Sequence, residues 1–161
     1  MMQTVLINDL KYMRKAIKLS IQNIDNGGGP FAAVIVKGSK IISVGVNRVT
    51  KNNDPTAHAE VNAIRSACRK LKTFDLSDCI IYTSCEPCPM CLGAIYWSRI
   101  KMIYYANTKE DAKAIGFDDS FIYSELDKSI DNRKISTTQI LHDEAIVSFQ
   151  KWNNTDNKIK Y

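Results

Sequence analysis

The stretch His58-Ala59-Glu60, followed by Pro87-Cys88-Pro89-Met90-Cys91, decides the fold and the chemistry of this chain. Imidazole nitrogen and thiolate sulfur are ligands that zinc prefers, and a catalytic zinc keeps its fourth position for water. His58, Cys88 and Cys91 therefore predict one zinc ion per chain, with an open position. Because a zinc-bound water ionises near pH 7, such a site supplies hydroxide at neutral pH.

Glu60 lies two residues after His58 and is not needed as a ligand once the three zinc ligands are assigned. A carboxylate beside a metal-bound water can take up a proton and pass it to a substrate. We therefore predict that Glu60 is a catalytic proton shuttle and not a ligand; the alternative is a surface glutamate on a helix. The spacing H-x-E followed by P-C-x-x-C is the signature of zinc-dependent base deaminases.

The remaining cysteines are predicted to be free thiols. Cys85 extends the Cys-x-x-Cys pair into part of an iron–sulfur spacing, but the fourth cysteine of that motif is missing. We expect Cys85 to lie beside the metal site without binding the ion, and Cys68 and Cys79 to belong to the core. An odd total of five cysteines favours metal binding and free thiols over disulfides.

Length and composition predict an ordinary globular chain. The 161 residues fit a single domain, 1–161, and 45% hydrophobic and 24% charged residues are typical values. The net charge of +5 comes from scattered lysines, so we expect an ordinary charged surface and no nucleic-acid partner. We see no membrane-length apolar stretch and no secretion signal, which predicts a cytoplasmic protein with no membrane partner.

Hydrophobic periodicity predicts the first half of the fold. A helix over 9–26 is expected to bury an aliphatic stripe of Leu10, Met13, Ile17, Ile21 and Ile24. Two β-branched runs at 32–36 and 41–46 predict a hairpin. Asp54 is predicted to cap a helix over 56–71, with Pro55 at its start.

The second half alternates strands and helices. We predict a strand over 79–83, a helix over 89–98, a strand over 101–105, and short helices over 109–115 and 120–126. This order indicates an α/β fold, a three-layer α/β/α sandwich on a mixed sheet. A helix then begins at each of the two metal-binding motifs. The zinc is therefore expected between two helix N-termini, whose partial positive charges favour thiolates.

Several further stretches belong to one recognisable pattern. They are Gly28-Gly29-Pro30-Phe31, the run 52–60, the run 82–97 and Gly116-Phe117-Asp118-Asp119-Ser120-Phe121. With them the chain resembles the cytidine-deaminase-like superfamily and, within it, the small bacterial guanine deaminases, over nearly its whole length. The first motifs are shared with tRNA adenosine deaminases and cytosine deaminases. Ile95-Tyr96-Trp97, Phe117-Asp118-Asp119 and Tyr161 are similar to guanine deaminases in particular.

The resemblance implies a reaction and a substrate site. Water is added to C2 of guanine while Glu60 protonates N3, and xanthine and ammonia leave. The implied substrate-binding residues are Phe31, Asn47, Ala57, Glu86, Trp97, Asp119, Glu144 and Tyr161. The residues themselves leave alternatives for several of these roles.

Those alternatives are structural. Asn47 can serve a turn, and Phe31 can belong to the core. Glu86 can be a loop or cap carboxylate, where the resemblance assigns its backbone to the site. Trp97 is expected to be half core and half pocket. Asp119 can cap the helix that begins at Ser120. Asp143 is the alternative to Glu144 as the carboxylate that orients the substrate amine.

The tail over 153–161 is polar, and its composition alone predicts disorder. The resemblance implies instead a homodimer with exchanged C-terminal segments, in which each tail closes the partner's site.

Three other functions share parts of this pattern. A tRNA adenosine deaminase needs a basic surface for RNA and an open pocket for a flipped base, and a cytosine or nucleoside deaminase is a nearer alternative. A non-enzymatic zinc domain usually has four protein ligands, whereas this motif offers three.

Overall fold

The computed structural model describes residues 7–161 of the chain, which form two compact units, 7–119 and 120–161. In the first unit the strands are β1 (Ala32–Lys37), β2 (Lys40–Val46), β3 (Cys79–Cys85) and β4 (Met102–Asn107). Its helices are α1 (Ile7–Asp25), α2 (Val49–Asn52), α3 (Ala59–Leu71), α4 (Pro89–Trp97) and α5 (Lys109–Ala114). The second unit contains α6 (Ser120–Leu126), a 3-10 turn at Ile130–Asn132, and α7 (His142–Asn153).

The four strands form one mixed sheet in the order β2-β1-β3-β4. Strand β1 pairs antiparallel with both β2 and β3, and β3 pairs parallel with β4. Every residue of β1 up to Val36 is buried, because both faces of this central strand are covered. The mixed sheet expected from the sequence is confirmed.

The two faces of β1 carry two separate apolar clusters. Ala33 and Ile35 pack with Ala63 of α3 on one face, and Val34 and Val36 pack with Ala16 of α1 on the other. Alternate residues of a strand point to opposite faces, so one strand supplies both cores. This arrangement gives the predicted helix–sheet–helix layering.

The aliphatic stripe predicted for the inner face of α1 is wrong. The residues that α1 buries are Tyr12, Ala16, Ser20 and Asn23. Leu10, Ile17, Ile21 and Ile24 are exposed, and Met13 is only partly buried. Small residues such as Ala16 and the flat ring of Tyr12 fit against the strands, where they share one buried cluster with Val34, Val36 and Tyr82. This ring packs on Tyr82 with a centroid separation of 5.3 Å.

The predicted cap of α3 is also wrong. Asp54 Oδ1 instead accepts hydrogen bonds from the backbone N–H and the hydroxyl of Thr56, 2.8 and 2.7 Å away, in a local turn. The helix begins three residues later than expected, at Ala59. Short polar side chains favour such local turns over regular structure, which accounts for the shift.

Helix α3 lies unusually close to strand β2 because of one glycine. A side chain at Gly45 would place its Cβ 2.1 Å from the carbonyl oxygen of Ala59 and 2.5 Å from the nitrogen of Ala63. Ser43 adds a hydrogen bond of 2.8 Å to the carbonyl of Ala63. Together these contacts fix the N-terminus of α3, where His58 and Glu60 lie.

The second unit has a different character, because none of the residues 120–161 is buried. Helix α7, which the sequence analysis does not predict, exposes Val147, Phe149 and Trp152. Among residues 7–161, the structure has no helix whose length and apolar content match a membrane crossing.

Candidate metal centre and active site

The three predicted ligands come together at the N-termini of two helices. His58 is the N-cap of α3 and Cys88 is the N-cap of α4, and both have extended backbone conformations. N-caps usually carry a polar side chain that bonds to the first helical N–H groups. Neither residue makes such a side-chain bond, so the imidazole and the thiol remain available for a metal.

The distances among these groups suit a tetrahedral zinc ion. His58 Nδ1 lies 3.5 Å from the Sγ atoms of both Cys88 and Cys91, and all three ligand atoms lie within 4.8 Å of one another. Ideal Zn–N and Zn–S bonds at a tetrahedral angle place nitrogen and sulfur about 3.6 Å apart. The donor set and its spacing therefore fit one zinc ion held by Nδ1 of the histidine and two thiolates.

Hydrogen bonding within the cluster favours the thiolate form of Cys88. The thiol of Cys91 and the imidazole of His58 lower the pKa of Cys88 to about 4. The pKa of Cys91 is raised, first by its bond to Cys88 and then by burial. The bond to Cys88 likewise raises the pKa of His58. Thiolate is the form that binds zinc, so an anionic Cys88 is suited to ligation.

Glu60 is buried beside the ligands. Its Oε2 lies 3.4 Å from the Sγ of Cys91, and only 7% of the residue is exposed. Burial is the main cause that raises the pKa of this carboxyl. A carboxyl group that is buried next to a metal site can hold a proton and release it, as a general acid–base group must.

Cys85 lies near the cluster without belonging to it. Among the residues that the structure describes, the metal-binding group consists of His58, Cys88 and Cys91. The Sγ of Cys85 donates to the carbonyl of Thr108 over 3.4 Å, and burial raises its pKa to about 11. A neutral thiol agrees with the prediction. Cys79 is buried in the core, and Cys68 packs against the core.

Asn47 and Ala57 lie where β2 leads towards α3. Asn47 is 7% exposed, and its Oδ1 accepts a hydrogen bond of 3.3 Å from the N–H of Val49, as in a turn. This bond leaves the side-chain amide nitrogen as the group that can donate to a ligand. Ala57 is buried directly before His58, and its carbonyl accepts from the N–H of Arg48.

Phe31 and Asp119 belong to the same unit. The ring of Phe31 packs edge to face on Phe117, with centroids 4.9 Å apart. The sequence predicts no separate role for Phe117; its place in the motif over 116–121 is the signal that could have identified it. Burial and then the negative charge of Cys88 raise the pKa of Asp119, so this acid lies within electrostatic reach of the ligands.

The other predicted site residues are more exposed. Glu86 accepts from the N–H of Lys109 over 3.2 Å at the start of α5, so its carboxylate caps a helix as the structural alternative expected. Trp97 is 68% exposed, so the expectation that it is half core is wrong; it lies two residues after the buried Ile95 and therefore on a different face of α4. Glu144 and Tyr161 are exposed residues of the second unit.

Comparison with known proteins places the chain among zinc deaminases. Residues 6–107 match the family described as the cytidine and deoxycytidylate deaminase zinc-binding region. The guanine deaminase of Bacillus subtilis is 53% identical over 156 residues, which cover 96% of this chain and 100% of that protein. Its X-ray structure matches this one with a TM-score of 0.93 at 52% identity, over 96% of this chain and 99% of that one.

Two further matches are less extensive. A structure of guanine deaminase from Nitrosomonas europaea has a TM-score of 0.66 at 36% identity, over 72% of this chain and 66% of that one. A tRNA-specific adenosine deaminase of Buchnera aphidicola is 40% identical over 105 residues, which are 65% of this chain and 70% of that protein.

Proposed function

The chain belongs to the cytidine-deaminase-like zinc deaminases, and we propose that it is a zinc-dependent guanine deaminase that converts guanine and water to xanthine and ammonia. The observation that carries this function is the 53% identity to a guanine deaminase over 96% of the chain. The similarity to tRNA adenosine deaminases is lower and shorter, with 38% identity over 82% of the chain for one and 40% identity over 65% of the chain for another. Because the first similarity includes nearly the whole length, it favours guanine over an RNA-borne adenine.

The metal is held by His58, Cys88 and Cys91, whose donor types and spacing fit zinc. When bound, zinc lowers the pKa of a water molecule and so supplies the nucleophile at neutral pH. Glu60 would take one proton from that attacking water and deliver it to N3 of the purine. It would then take the proton of the new C2 hydroxyl and pass it to the amine, so that the C2–N bond breaks, C2 keeps the oxygen as a carbonyl and ammonia leaves.

Purine recognition is assigned to residues around the end of β2. The amide nitrogen of Asn47 donates to an acceptor on the purine edge, since its Oδ1 is engaged with Val49. The Phe31 ring provides a face on which the base stacks. The backbones of Ala57 and Glu86 line the site.

Acidic and aromatic residues complete the substrate site in this proposal. Asp119 lies within electrostatic reach of Cys88 and acts around the purine amine. Trp97, at the end of α4, contributes part of the pocket wall through its exposed ring. Glu144, or Asp143 beside it, orients the substrate amine.

The proposal also includes a homodimer that exchanges its C-terminal segments. In the second unit Val147, Phe149, Trp152 and Ile159 are between 48% and 72% exposed. Exposed apolar side chains of this kind stabilise a protein when they dock on another surface. In the proposed dimer, this surface belongs to the partner chain, and the tail over 153–161 brings Tyr161 over the partner's purine.

A place in purine breakdown or salvage and a cytoplasmic location belong to the same proposal, because free guanine arises from nucleotide breakdown inside cells. The enzyme takes the free base as its substrate. An exchanged tail that covers the base excludes water during the reaction and leaves no room for an RNA strand.

A substrate panel tests the function directly. Purified zinc-loaded protein is assayed for ammonia release with guanine, guanosine, adenine, cytosine, cytidine and a tRNA hairpin that carries adenosine. We expect guanine to have the highest kcat/KM of the set. A tRNA hairpin or cytosine that outperforms guanine would replace this function with one of the two rival deaminases.

A further inference from the structure

Two asparagines outside the metal site hold the backbone on either side of Asn47. The first is Asn23, which is 2% exposed on the inner face of α1. The second is Asn62, on α3 and two residues after Glu60. Neither has a role in the chemistry described above, and each uses its side-chain amide to bridge two backbone carbonyls.

Asn23 joins two separate loops. Its Nδ2 donates to the carbonyl of Gly29 over 2.8 Å and to the carbonyl of Asn47 over 2.9 Å. Since both partners are carbonyls, the group that faces them has to be the NH2 of the amide. The main chain of Asn23 takes part as well, because its carbonyl accepts from the N–H of Gly28 over 2.9 Å.

Asn62 secures the other side of the same residue. Its Nδ2 donates to the carbonyl of Val46 over 2.9 Å and to the carbonyl of Ala57 over 3.1 Å. The N–H of Asn47 is itself bound to the carbonyl of Phe31 over 3.0 Å. The peptide groups before and after Asn47 are therefore both fixed by side-chain amides from different helices.

Gly28 packs directly against the amide of Asn23. A Cβ at Gly28 would lie 2.2 Å from Nδ2 of Asn23 and 2.6 Å from the carbonyl oxygen of Asn47. Among the described residues, Oδ1 of Asn23 is buried without a hydrogen-bond partner. An alanine would avoid that unsatisfied oxygen, but it would leave the carbonyls of Gly29 and Asn47 without their shared donor.

We propose that Asn23 and Asn62 are positioning residues that clamp the backbone of Asn47 and thereby set its side chain against the purine edge. The same bonds also reach the carbonyls of Gly29 and Ala57, but the kinetic effect that we assign to the clamp is the one that passes through Asn47. This inference rests on the proposed function, because it gives the two asparagines a role in the recognition assigned to Asn47.

A double-mutant cycle tests the clamp. In the zinc-loaded enzyme, Asn23→Ala should lower kcat/KM for guanine about ten- to a hundredfold, since a small misplacement of a positioning group costs up to about that much. Most of the loss should appear as a higher KM, because the edge contact serves ground state and transition state alike. In an Asn47→Ala background, Asn23→Ala should change kcat/KM by less than about twofold, because its effect passes through Asn47.

Asn26→Ala is the matched control. Asn26 lies three residues further along the chain, directly after the end of α1, is exposed, and donates its amide to the carbonyl of Gln22 in that helix. Its substitution should leave KM and zinc content unchanged. A second cycle uses Asn62→Ala in place of Asn23→Ala. In the Asn47→Ala background, Asn62→Ala should also leave kcat/KM for guanine nearly unchanged.

Several results would overturn the clamp. One is an effect of Asn23→Ala on kcat/KM that is as large in the Asn47→Ala background as in the wild type. The others are equal kinetic constants for Asn23→Ala and Asn26→Ala, and a loss of zinc as the primary defect of Asn23→Ala. Asn23→Ser keeps one donor and should fall between alanine and wild type; if neither variant folds with its zinc, the role is structural and the proposal is wrong. Wild-type enzyme without activity on guanine would refute the proposed function instead, and the cycle would then be measured with its actual substrate.

Discussion

Residues 7–119 and residues 120–161 bury their apolar side chains to very different extents. The first unit packs two cores on opposite faces of one strand and buries even Glu60 and Asn47. The second unit buries no residue, although its helix α7 carries Val147, Phe149 and Trp152. A segment with so little buried surface has a weak hydrophobic driving force of its own.

In our account, this difference in burial corresponds to a difference in function between the two units. The packed unit supplies the rigid zinc ligands and the proton shuttle, for which misplacement is costly. The exposed unit supplies a cover, for which adaptable packing on a partner chain is sufficient. Each of the following tests either breaks this division or makes it sharper.

The largest effect is expected from Cys88→Ser. A serine hydroxyl is a poor zinc ligand compared with a thiolate, so zinc content should fall far below one ion per chain and activity should be lost. Cys85→Ser is the control, because Cys85 donates to Thr108 and should not affect the zinc. Metal analysis of both purified variants decides the point, and full zinc retention in Cys88→Ser would rule out this ligand set.

Glu60→Gln should give the next largest effect. The amide keeps the shape of the carboxyl but cannot shuttle a proton, so turnover should fall at least about a hundredfold while zinc stays bound. Steady-state kinetics and metal analysis on the same sample measure both quantities. Near-normal turnover, or zinc loss as the main defect, would contradict the role of Glu60.

Gly45→Ala should give a smaller effect, on stability. Its Cβ would meet backbone atoms of α3 at 2.1 and 2.5 Å, so the helix has to move. Overpacking of this kind costs about 1–3 kcal/mol of unfolding free energy. The control is Gly93→Ala, where a Cβ would meet no atom within 4 Å and should not destabilise the helix. Denaturant unfolding that ranks the two variants equally would disprove tight packing of α3 on β2.

The metal ligands and the layered fold were predictable because their signals are local. His58, Cys88 and Cys91 are typical zinc ligands, and the β-branched runs around the hairpin alternate as strands do. These signals depend on spacing along the chain, which the sequence states directly.

The errors arose where tertiary contacts decide the outcome. The stripe of Ile17, Ile21 and Ile24 was predicted to be internal, yet α1 turns its smaller residues towards the sheet. Periodicity gives the amphipathic pattern of a helix, but it does not say which face a closely packed sheet accepts. For the same reason, the sequence does not predict that Asn23 bridges the carbonyls of Gly29 and Asn47, which lie in other parts of the chain.

The division between a catalytic unit and a covering segment from the partner chain is tested most directly by complementation. Two inactive chains are combined, one with Glu60→Gln and an intact tail, the other truncated after Trp152 with an intact Glu60. Each should bind zinc, and each alone should be strongly impaired on guanine. A heterodimer pairs the intact centre of the truncated chain with the intact tail of the other, so our account predicts recovered activity. An active truncated chain, or a mixture of confirmed heterodimers that stays inactive, would contradict it.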